Sequence, residues 1–273
     1  MKRYDVAVDG LHVHLAEAGD GPPLVLLHGL GVTHETWEPT IEALAVRWRV
    51  IAPDLPGHGR SSKPDAPYTI DFFAGVVRSL GRALGVNEAV VIGNSMGGRI
   101  ALELAIAYPR FTRALVLAAP AGDFAPVGRL IAALMEVTVR PAVLRVALPW
   151  AIAWALHDAD AALRARLAAA PAREDFPHHA RAVRRALAGV LSVESPDLAR
   201  VTQPVQLVWG ERDRLVPLAF ARALRRGLPH ARLALLPCGH FPMLERPAEF
   251  HRLTTDFLQA VEAAPPAGRR GAA

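Results

Sequence analysis

Short apolar runs that favour strands alternate with amphipathic runs that favour helices from Leu24 to Val261. The strand runs are apolar throughout, which is typical of strands buried on both faces of a parallel sheet. This alternation predicts an α/β fold in which helices cover both faces of one mostly parallel sheet. Two earlier strands are joined by Asp9-Gly10, which predicts a hairpin at the start of the chain.

Eight strands and five helices of the core are predicted from these patterns. The strands are Tyr4–Val8, Leu11–Glu17, Leu24–Leu27, Arg49–Ala52, Ala89–Ile92, Ala114–Leu117, Val205–Trp209 and Arg232–Leu236. The helices are Pro39–Ala45, Ile70–Leu84, Met96–Ala107, Pro217–Arg226 and Pro247–Val261. Ligands bind outside the carboxyl ends of strands in such sheets, so residues that follow strands are the candidates for chemistry.

The alternation stops between residues 120 and 204, where the chain is rich in Ala, Leu and Arg. We expect this segment to form a helical cap inserted after the sixth strand, with residues 1–119 and 205–262 forming the core. The windows "RLIAALMEV" and "LPWAIAWAL" have apolar stripes wide enough to face both the sheet and a pocket, and Trp154 is a candidate pocket residue. Residues 263–273 carry no core-forming pattern and are expected to be disordered.

Composition excludes several other classes of protein. The net charge is +5, but only two of the 31 basic residues are lysines and the arginines are scattered, which argues against nucleic-acid binding. Charged residues and prolines interrupt the most apolar window, residues 127–156, and no signal-peptide pattern begins the chain. The single cysteine, Cys238, allows no intrachain disulfide. We therefore expect a cytoplasmic protein without membrane insertion.

The segment Gly93-Asn94-Ser95-Met96-Gly97 lies between a predicted strand and a predicted helix. It matches the G-x-S-x-G turn that pushes a nucleophilic serine clear of a sheet. A serine hydroxyl is a weak nucleophile unless a base takes its proton, and His240 follows the last strand. A carboxylate must orient that imidazole, and both Asp213 and Asp123 follow strands at the same edge.

Successive motifs show a resemblance to a known family. They are "LLHGLG", "PDLPGHGRSSKP", "GNSMGG", "VWGERDRLVP" and "CGHFPMLERPAEF". With them the chain resembles the α/β-hydrolase superfamily from Tyr4 to Val261. The resemblance implies an eight-stranded, mostly parallel sheet and catalytic residues in the order nucleophile, acid, base. It favours Asp213 as the acid, although some relatives place it after the sixth strand, where Asp123 lies.

The same resemblance implies an oxyanion hole built from two backbone N–H groups. One belongs to Met96, directly after the nucleophile, and the other to Leu30, in the loop after the third strand. Gly29 and Gly31 flank Leu30 and allow that loop to fold tightly. His28 and His58 are expected to brace their own loops. No histidine pair has metal-ligand spacing, so neither a metal nor another cofactor is expected.

A serine at the turn argues against dehalogenases and epoxide hydrolases, which carry aspartate there. Two enzyme classes remain. The first cleaves carboxylic esters of short or medium acyl chains through an acyl-enzyme intermediate. The second is the carbon–carbon bond hydrolases of the meta-cleavage-product type, which commonly have tryptophan where this chain has Phe241, a second candidate for contact with substrate. In that group an arginine of the cap binds the carboxylate of the dienoate substrate. Three residues of this chain could take that role: Arg181, Arg184 and Arg185.

Other interpretations stay open. Lactonase, thioesterase and perhydrolase activities share the same machinery. Some members of this fold bind small molecules without turnover, but the serine, acid, histidine and glycine-flanked loops together favour an enzyme. The expected partner is a small-molecule ester. The oligomeric state is not predicted.

Overall fold

The computed structural model describes residues 1–122, 141–159, 161–168 and 176–263. Within these ranges, eight strands form one sheet in the order β1-β2-β4-β3-β5-β6-β7-β8. The strands are β1 Lys2–Val8, β2 Leu11–Ala18, β3 Pro23–Leu27, β4 Arg49–Pro53, β5 Ala89–Asn94, β6 Thr112–Ala118, β7 Val205–Gly210 and β8 Arg232–Leu236. All eight predicted strands are present, with ends that differ by no more than two residues.

The sheet is parallel except at its N-terminal edge. Strand β2 pairs antiparallel with both β1 and β4, whereas the pairs from β4 to β8 are parallel. Asp9 and Gly10 connect β1 to β2 with φ of 48° and 79°. Positive φ at both turn residues suits the twist of a two-residue hairpin, which explains the Asp-Gly pair. The predicted mostly parallel eight-stranded sheet is confirmed.

Helices cover both faces of the sheet in the described ranges. They are α1 Glu38–Leu44, α2 Ile70–Ala83, α3 Met96–Ala107, α4 Pro141–Ala155, α5 Ala161–Ala168, α6 Phe176–Ser192, α7 Leu218–Gly227, α8 Pro242–Glu245 and α9 Pro247–Ala263. The five predicted core helices correspond to α1, α2, α3, α7 and α9. The short α8 has too few residues to produce a periodic pattern, and its proline at N1 was the only sequence signal for it.

Alternate residues of the central strands enter two separate cores. In β3, Val25 and Leu27 pack in a core with residues of α2 and α3, whereas Leu24 and Leu26 pack in a core with residues of α1 and α9. All four side chains are buried. Because successive side chains of a strand point to opposite faces, a strand covered on both sides must be apolar throughout.

Helices α4, α5 and α6 lie between β6 and β7 in the chain, in the segment predicted to form a cap. Ile152 and Ala155 of α4 pack in one core, and Ala182 and Ala186 of α6 in the other. Several sequence-based expectations lie outside the described residues: Asp123, the window at residues 129–137 and the tail at 264–273. The division into a core and a cap domain stays a prediction.

No described helix combines the length and the apolar character that crossing a membrane requires.

Candidate active site

Ser95 occupies a strained turn between β5 and α3. Its φ and ψ are 54° and −118°, a conformation that side-chain-bearing residues rarely adopt. Hydrogen bonds hold it there: the Ser95 N–H donates to the Ala118 carbonyl over 3.0 Å, and the Ser95 carbonyl accepts from the Ala121 N–H over 2.9 Å. A Cβ at Gly97 would lie 2.1 Å from the Leu27 carbonyl oxygen, so the turn needs glycine there.

Asp213 and His240 form a buried pair. Asp213 follows β7 and His240 follows β8, and His240 Nδ1 lies 2.7 Å from Asp213 Oδ2. Both side chains are almost inaccessible to solvent. An ionised carboxylate only accepts hydrogen bonds, so Nδ1 carries the proton and Nε2 of the neutral ring is left as the basic nitrogen.

The Asp213 carboxylate is itself held by its loop. Its Oδ1 accepts hydrogen bonds from the backbone N–H groups of Leu215 and Val216 over 2.8 and 2.9 Å. One oxygen therefore orders the loop while the other orients His240. The alternative acid, Asp123, lies outside the described residues, so the choice of Asp213 stays a prediction.

Two contacts bring the Ser95 turn close to the other loops. The side-chain amide of Asn94 donates to the carbonyl oxygens of Ala118 and His240 over 3.0 and 3.1 Å. A Cβ at Gly29 would lie 3.3 Å from the Ser95 Cβ, so the loop after β3 packs directly against the serine. The Ser95 turn, the loop after β3 and the His240 loop thus meet at the carboxyl edge of the sheet.

The backbone N–H groups proposed for the oxyanion hole lie on two sides of this turn. Met96 is the first residue of α3, and Leu30 belongs to the loop that packs on Ser95. Neither N–H forms a hydrogen bond with another described residue. Gly31, next to Leu30, has a φ of 75°, and a Cβ there would lie 2.6 Å from Leu148 Cδ1 of α4. The Leu148 side chain therefore covers the Leu30 loop.

His28 braces the Leu30 loop as a neutral imidazole. Its Nε2 accepts from the Leu55 N–H over 2.9 Å, so Nδ1 carries the proton and donates to the Gly29 carbonyl over 2.7 Å. Burial lowers the pKa of His28 to about 4, although the Asp54 carboxylate opposes the shift. The ring is a structural link between the β3 and β4 loops, as expected from sequence.

Further buried histidines extend this link toward α6. The His58 ring contacts the His28 ring edge-on at 5.1 Å and the His179 ring at 5.7 Å between centroids. His179 Nδ1 donates to the Gly57 carbonyl over 3.0 Å. Burial holds the pKa of His58 well below its usual value, because a buried ring resists taking up charge. This row of rings joins the loops after β3 and β4 to the segment predicted as the cap.

Asp54 anchors the loop after β4. Its Oδ1 accepts hydrogen bonds from the backbone N–H and from Nδ1 of His34, over 2.9 and 2.7 Å, and its Oδ2 accepts from the Arg60 N–H over 2.8 Å. Burial alone would raise the pKa of Asp54, but the hydrogen bonds and charge of His34 hold it well below its usual range. Asp54 is fully engaged in structure and is no competitor of Asp213.

Glu245 is a buried acid that sequence reasoning missed. Its Oε1 accepts from the Phe241 N–H over 3.1 Å, and its Oε2 accepts from the N–H groups of Gly239, His157 and Asp158 over 3.0, 2.7 and 2.8 Å. Only 5% of the residue is exposed. The available sequence signal was an acid five positions after His240, within the motif "CGHFPMLERPAEF".

Cys238 lies two residues before His240 and is fully buried. Burial raises the pKa of its thiol to about 12, and the Glu245 carboxylate adds to the shift. Because the thiolate is the reactive form, this cysteine is chemically inert near neutral pH. It is a core residue, as expected from sequence.

The two predicted substrate contacts differ in their surroundings. Phe241 is buried, and its ring meets the His240 imidazole edge-on at 5.2 Å. Trp154 is 40% exposed, stacks on Trp150 of the same helix at 6.2 Å and carries the Arg214 guanidinium over its ring. From the same helix, Leu148 lies against Gly31 of the Leu30 loop. A substrate contact of Trp154 stays a prediction.

Two of the three arginines that could bind the substrate carboxylate of a carbon–carbon hydrolase lie at the protein surface. Arg181 of α6 is exposed, and Arg185 pairs with Asp65 and the Ala66 carbonyl at the surface.

Among the described residues, no group of three or more His, Cys, Asp or Glu side chains is placed to hold a metal ion.

A family model of the alpha/beta hydrolase fold matches residues 22–247. This match spans most of the chain, which therefore belongs to the alpha/beta hydrolase family, as the motifs indicated. The family is one of hydrolases with small-molecule substrates.

Relatives of similar sequence identity are named for different enzymatic activities. The chain is 31% identical over 268 residues to a 2-hydroxymuconate semialdehyde hydrolase of Pseudomonas sp. (strain CF600), with 95% of each chain covered. It is 31% identical over 253 residues to a pimeloyl-(acyl-carrier protein) methyl ester esterase of Nitrosomonas europaea, with 87% of this chain and 96% of the esterase covered. The enol-lactonase structure from Burkholderia xenovorans LB400 superposes with a TM-score of 0.83 at 25% identity, covering 94% of this chain and all of the lactonase.

Proposed function

We propose that this protein is a serine hydrolase that cleaves carboxylic esters of short or medium acyl chains through an acyl-enzyme intermediate. The observation that carries the proposal is the buried Asp213–His240 pair, 2.7 Å between Nδ1 and Oδ2, at the sheet edge that holds the strained Ser95 turn. Strain at a turn is retained where function demands it, and a paired imidazole with a free Nε2 is a general base.

In the proposed mechanism, His240 Nε2 takes the hydroxyl proton of Ser95 as the Ser95 Oγ attacks the ester carbonyl carbon. The carbonyl oxygen becomes an oxyanion, which the backbone N–H groups of Leu30 and Met96 stabilise. Collapse of the intermediate breaks the bond to the alkoxy oxygen, and His240 returns the proton to the departing alcohol. Water then attacks the acyl-enzyme with His240 again as base and frees the acid. Throughout, Asp213 holds Nδ1–H and stabilises the imidazolium.

A carbon–carbon bond hydrolase of the meta-cleavage-product type is the second candidate. It is favoured by the 31% identity to the 2-hydroxymuconate semialdehyde hydrolase over nearly the whole of both chains. Against it, Phe241 replaces the tryptophan common in that group. Arg181 is exposed and Arg185 pairs with Asp65, so Arg184, which is partly buried, is the candidate left to bind a dienoate carboxylate. The methyl ester esterase relative is equally identical, so identity alone does not separate the two.

One panel of substrates separates the candidates. We expect p-nitrophenyl esters to be hydrolysed, with kcat/KM rising from acetyl to a short or medium chain, and a vinylogous 1,5-diketone of the ring-cleavage type to be a poor substrate. An organophosphate should label Ser95 covalently and stop both reactions. Faster cleavage of the diketone would establish the second candidate, and labelling at another serine would refute the Ser95 assignment.

A further inference from the structure

The loop that carries His240 is attached to the end of α4 as well as to the core. The His240 N–H donates to the Ala155 carbonyl over 3.0 Å. A Cβ at Gly239 would lie 2.5 Å from the same carbonyl oxygen and 2.8 Å from the His157 nitrogen. The backbone of residues 155–158, hereafter the α4 end, therefore lies directly on the His240 loop, and only glycine at position 239 allows this approach.

Glu245 joins these two backbones through one carboxylate. It accepts hydrogen bonds from the N–H groups of Gly239 and Phe241, which flank His240. It also accepts hydrogen bonds from the N–H groups of His157 and Asp158 in the α4 end. Four charge-assisted hydrogen bonds to a buried carboxylate form a stiff junction, because each lost bond would leave a desolvated donor. Glu245 touches none of the proposed reacting atoms.

Two side-chain contacts reinforce the same junction from outside. Arg246 pairs with Asp158 over 2.5 Å, and Arg212 Nη1 lies 2.6 Å from His157 Nε2. Both are solvent-exposed, so each adds little stability. They nevertheless connect the α4 end to the loops of both His240 and Asp213.

We propose that Glu245 is a positioning residue that fastens the His240 loop to the α4 end, so that the seating of α4 determines where the His240 imidazole stands relative to Ser95. Leu148 of the same helix covers the Leu30 loop. A substrate that packs beneath α4 therefore acts on the base through Glu245. The inference rests on the proposed function, because it assigns His240 as the base.

The test compares Glu245→Gln with Glu249→Gln, which removes the same charge four residues later in α9. The glutamine amide nitrogen cannot accept, so Glu245→Gln loses the bonds at one oxygen. We expect kcat for the best p-nitrophenyl ester to fall about 100-fold with KM nearly unchanged, since small misplacements of a base have effects of this size. Glu249→Gln should match the parent protein. An unchanged kcat per phosphonate-titrated site, with only a lower Tm, would show a merely structural role and overturn the proposal.

Gly239→Ala perturbs the junction from its other side. We expect a similar loss of kcat, and the double variant should lose little more than either single variant, because both break one coupled unit. Fully additive losses would contradict the proposal. If Glu245→Gln does not fold, Gly239→Ala decides alone, and an unchanged kcat refutes the inference.

A failure of the proposed function is distinguishable from a failure of this inference. If the parent protein neither hydrolyses esters nor is labelled at Ser95, the proposed function is wrong. The junction is then tested by hydrogen exchange at the His240 amide, which donates to Ala155. Glu245→Gln should accelerate that exchange and Glu249→Gln should not. Equal exchange in both variants would refute the coupling.

Discussion

The side chain of Asn94 donates a hydrogen bond to the backbone carbonyl of His240 over 3.1 Å, from the position directly before Ser95. A second bond from the same amide reaches the Ala118 carbonyl over 3.0 Å. The residue is fully buried. One amide group therefore fixes the distance between the strand that presents the serine and the loop that presents the histidine.

Asn94→Asp should unfold more easily and lose most activity. Its carboxylate cannot donate, and burial would place its oxygens against two carbonyl oxygens, at a cost of about 3 kcal/mol. Urea unfolding measures the change. The exposed Asn87→Asp is the matched control and should be near neutral. Equal unfolding midpoints for the two variants would contradict the role given to Asn94.

Ser95→Gly and Ser95→Ala should both be inactive but should differ in stability. Glycine adopts the observed φ of 54° without strain, so we expect the glycine variant to be the more stable by about 1 kcal/mol. At Ser79, inside α2, the order should reverse, because glycine is about 1 kcal/mol worse than alanine within a helix. Thermal unfolding of the four variants shows which of the glycine and alanine variants is more stable at each site. If alanine is the more stable at Ser95 as well as at Ser79, the turn at Ser95 is not strained.

Asp213→Asn should reduce kcat by about 10⁴-fold, because the amide favours the wrong imidazole tautomer. Its oxygen can still accept from the Leu215 and Val216 N–H groups, so the loop should keep its structure. Steady-state kinetics of this variant and of Asp123→Asn separate the two candidate acids. A larger loss in Asp123→Asn would move the acid to the position after β6.

Much of this architecture was predictable because its signals are local. Apolar runs predicted all eight strands, and the Asp-Gly and Gly-x-Ser-x-Gly turns were readable because positive φ or close approach restricts residue choice. The contacts of Glu245 were not readable. They join positions 88 residues apart in the chain, and no local pattern records which buried carboxylate accepts which backbone donor. The stacking of Trp154 on Trp150 likewise depends on how α4 packs against the rest of the protein, and the apolar pattern of that helix does not determine its packing.

Stability should decrease as the pH falls from 6.5 toward 4. Burial lowers the pKa of His28 to about 4 in the folded state, so the unfolded chain binds a proton first in this range. The stabilisation is fully present above pH 6.5, and at pH 5 about 2 kcal/mol of it should be lost. Denaturant unfolding at several pH values measures the slope. His28→Gln should make the slope shallower and leave the part that buried His58 contributes, whereas His12→Gln, at an exposed position, should leave the slope as it is.

Leu148→Ala should shift the preferred acyl chain toward longer esters. Leu148 lies over the loop of Leu30, so its truncation opens space next to the proposed oxyanion hole, and each buried methylene is worth about 0.8 kcal/mol. Trp154→Ala should shift the optimum less, because Trp154 is partly exposed and stacked outward on Trp150. Chain-length profiles of kcat/KM compare the two. A larger shift in Trp154→Ala would restore tryptophan as the pocket residue.

The burial of Cys238 has a practical consequence for studying the protein in solution. The chain's one thiol has a pKa of about 12 and is inaccessible, so maleimide reagents find no partner in the folded protein. A cysteine introduced at an exposed position, such as Val146→Cys on α4, would therefore carry a dye or spin label alone. Spectroscopy could follow the movement of that helix during turnover without first removing a native thiol.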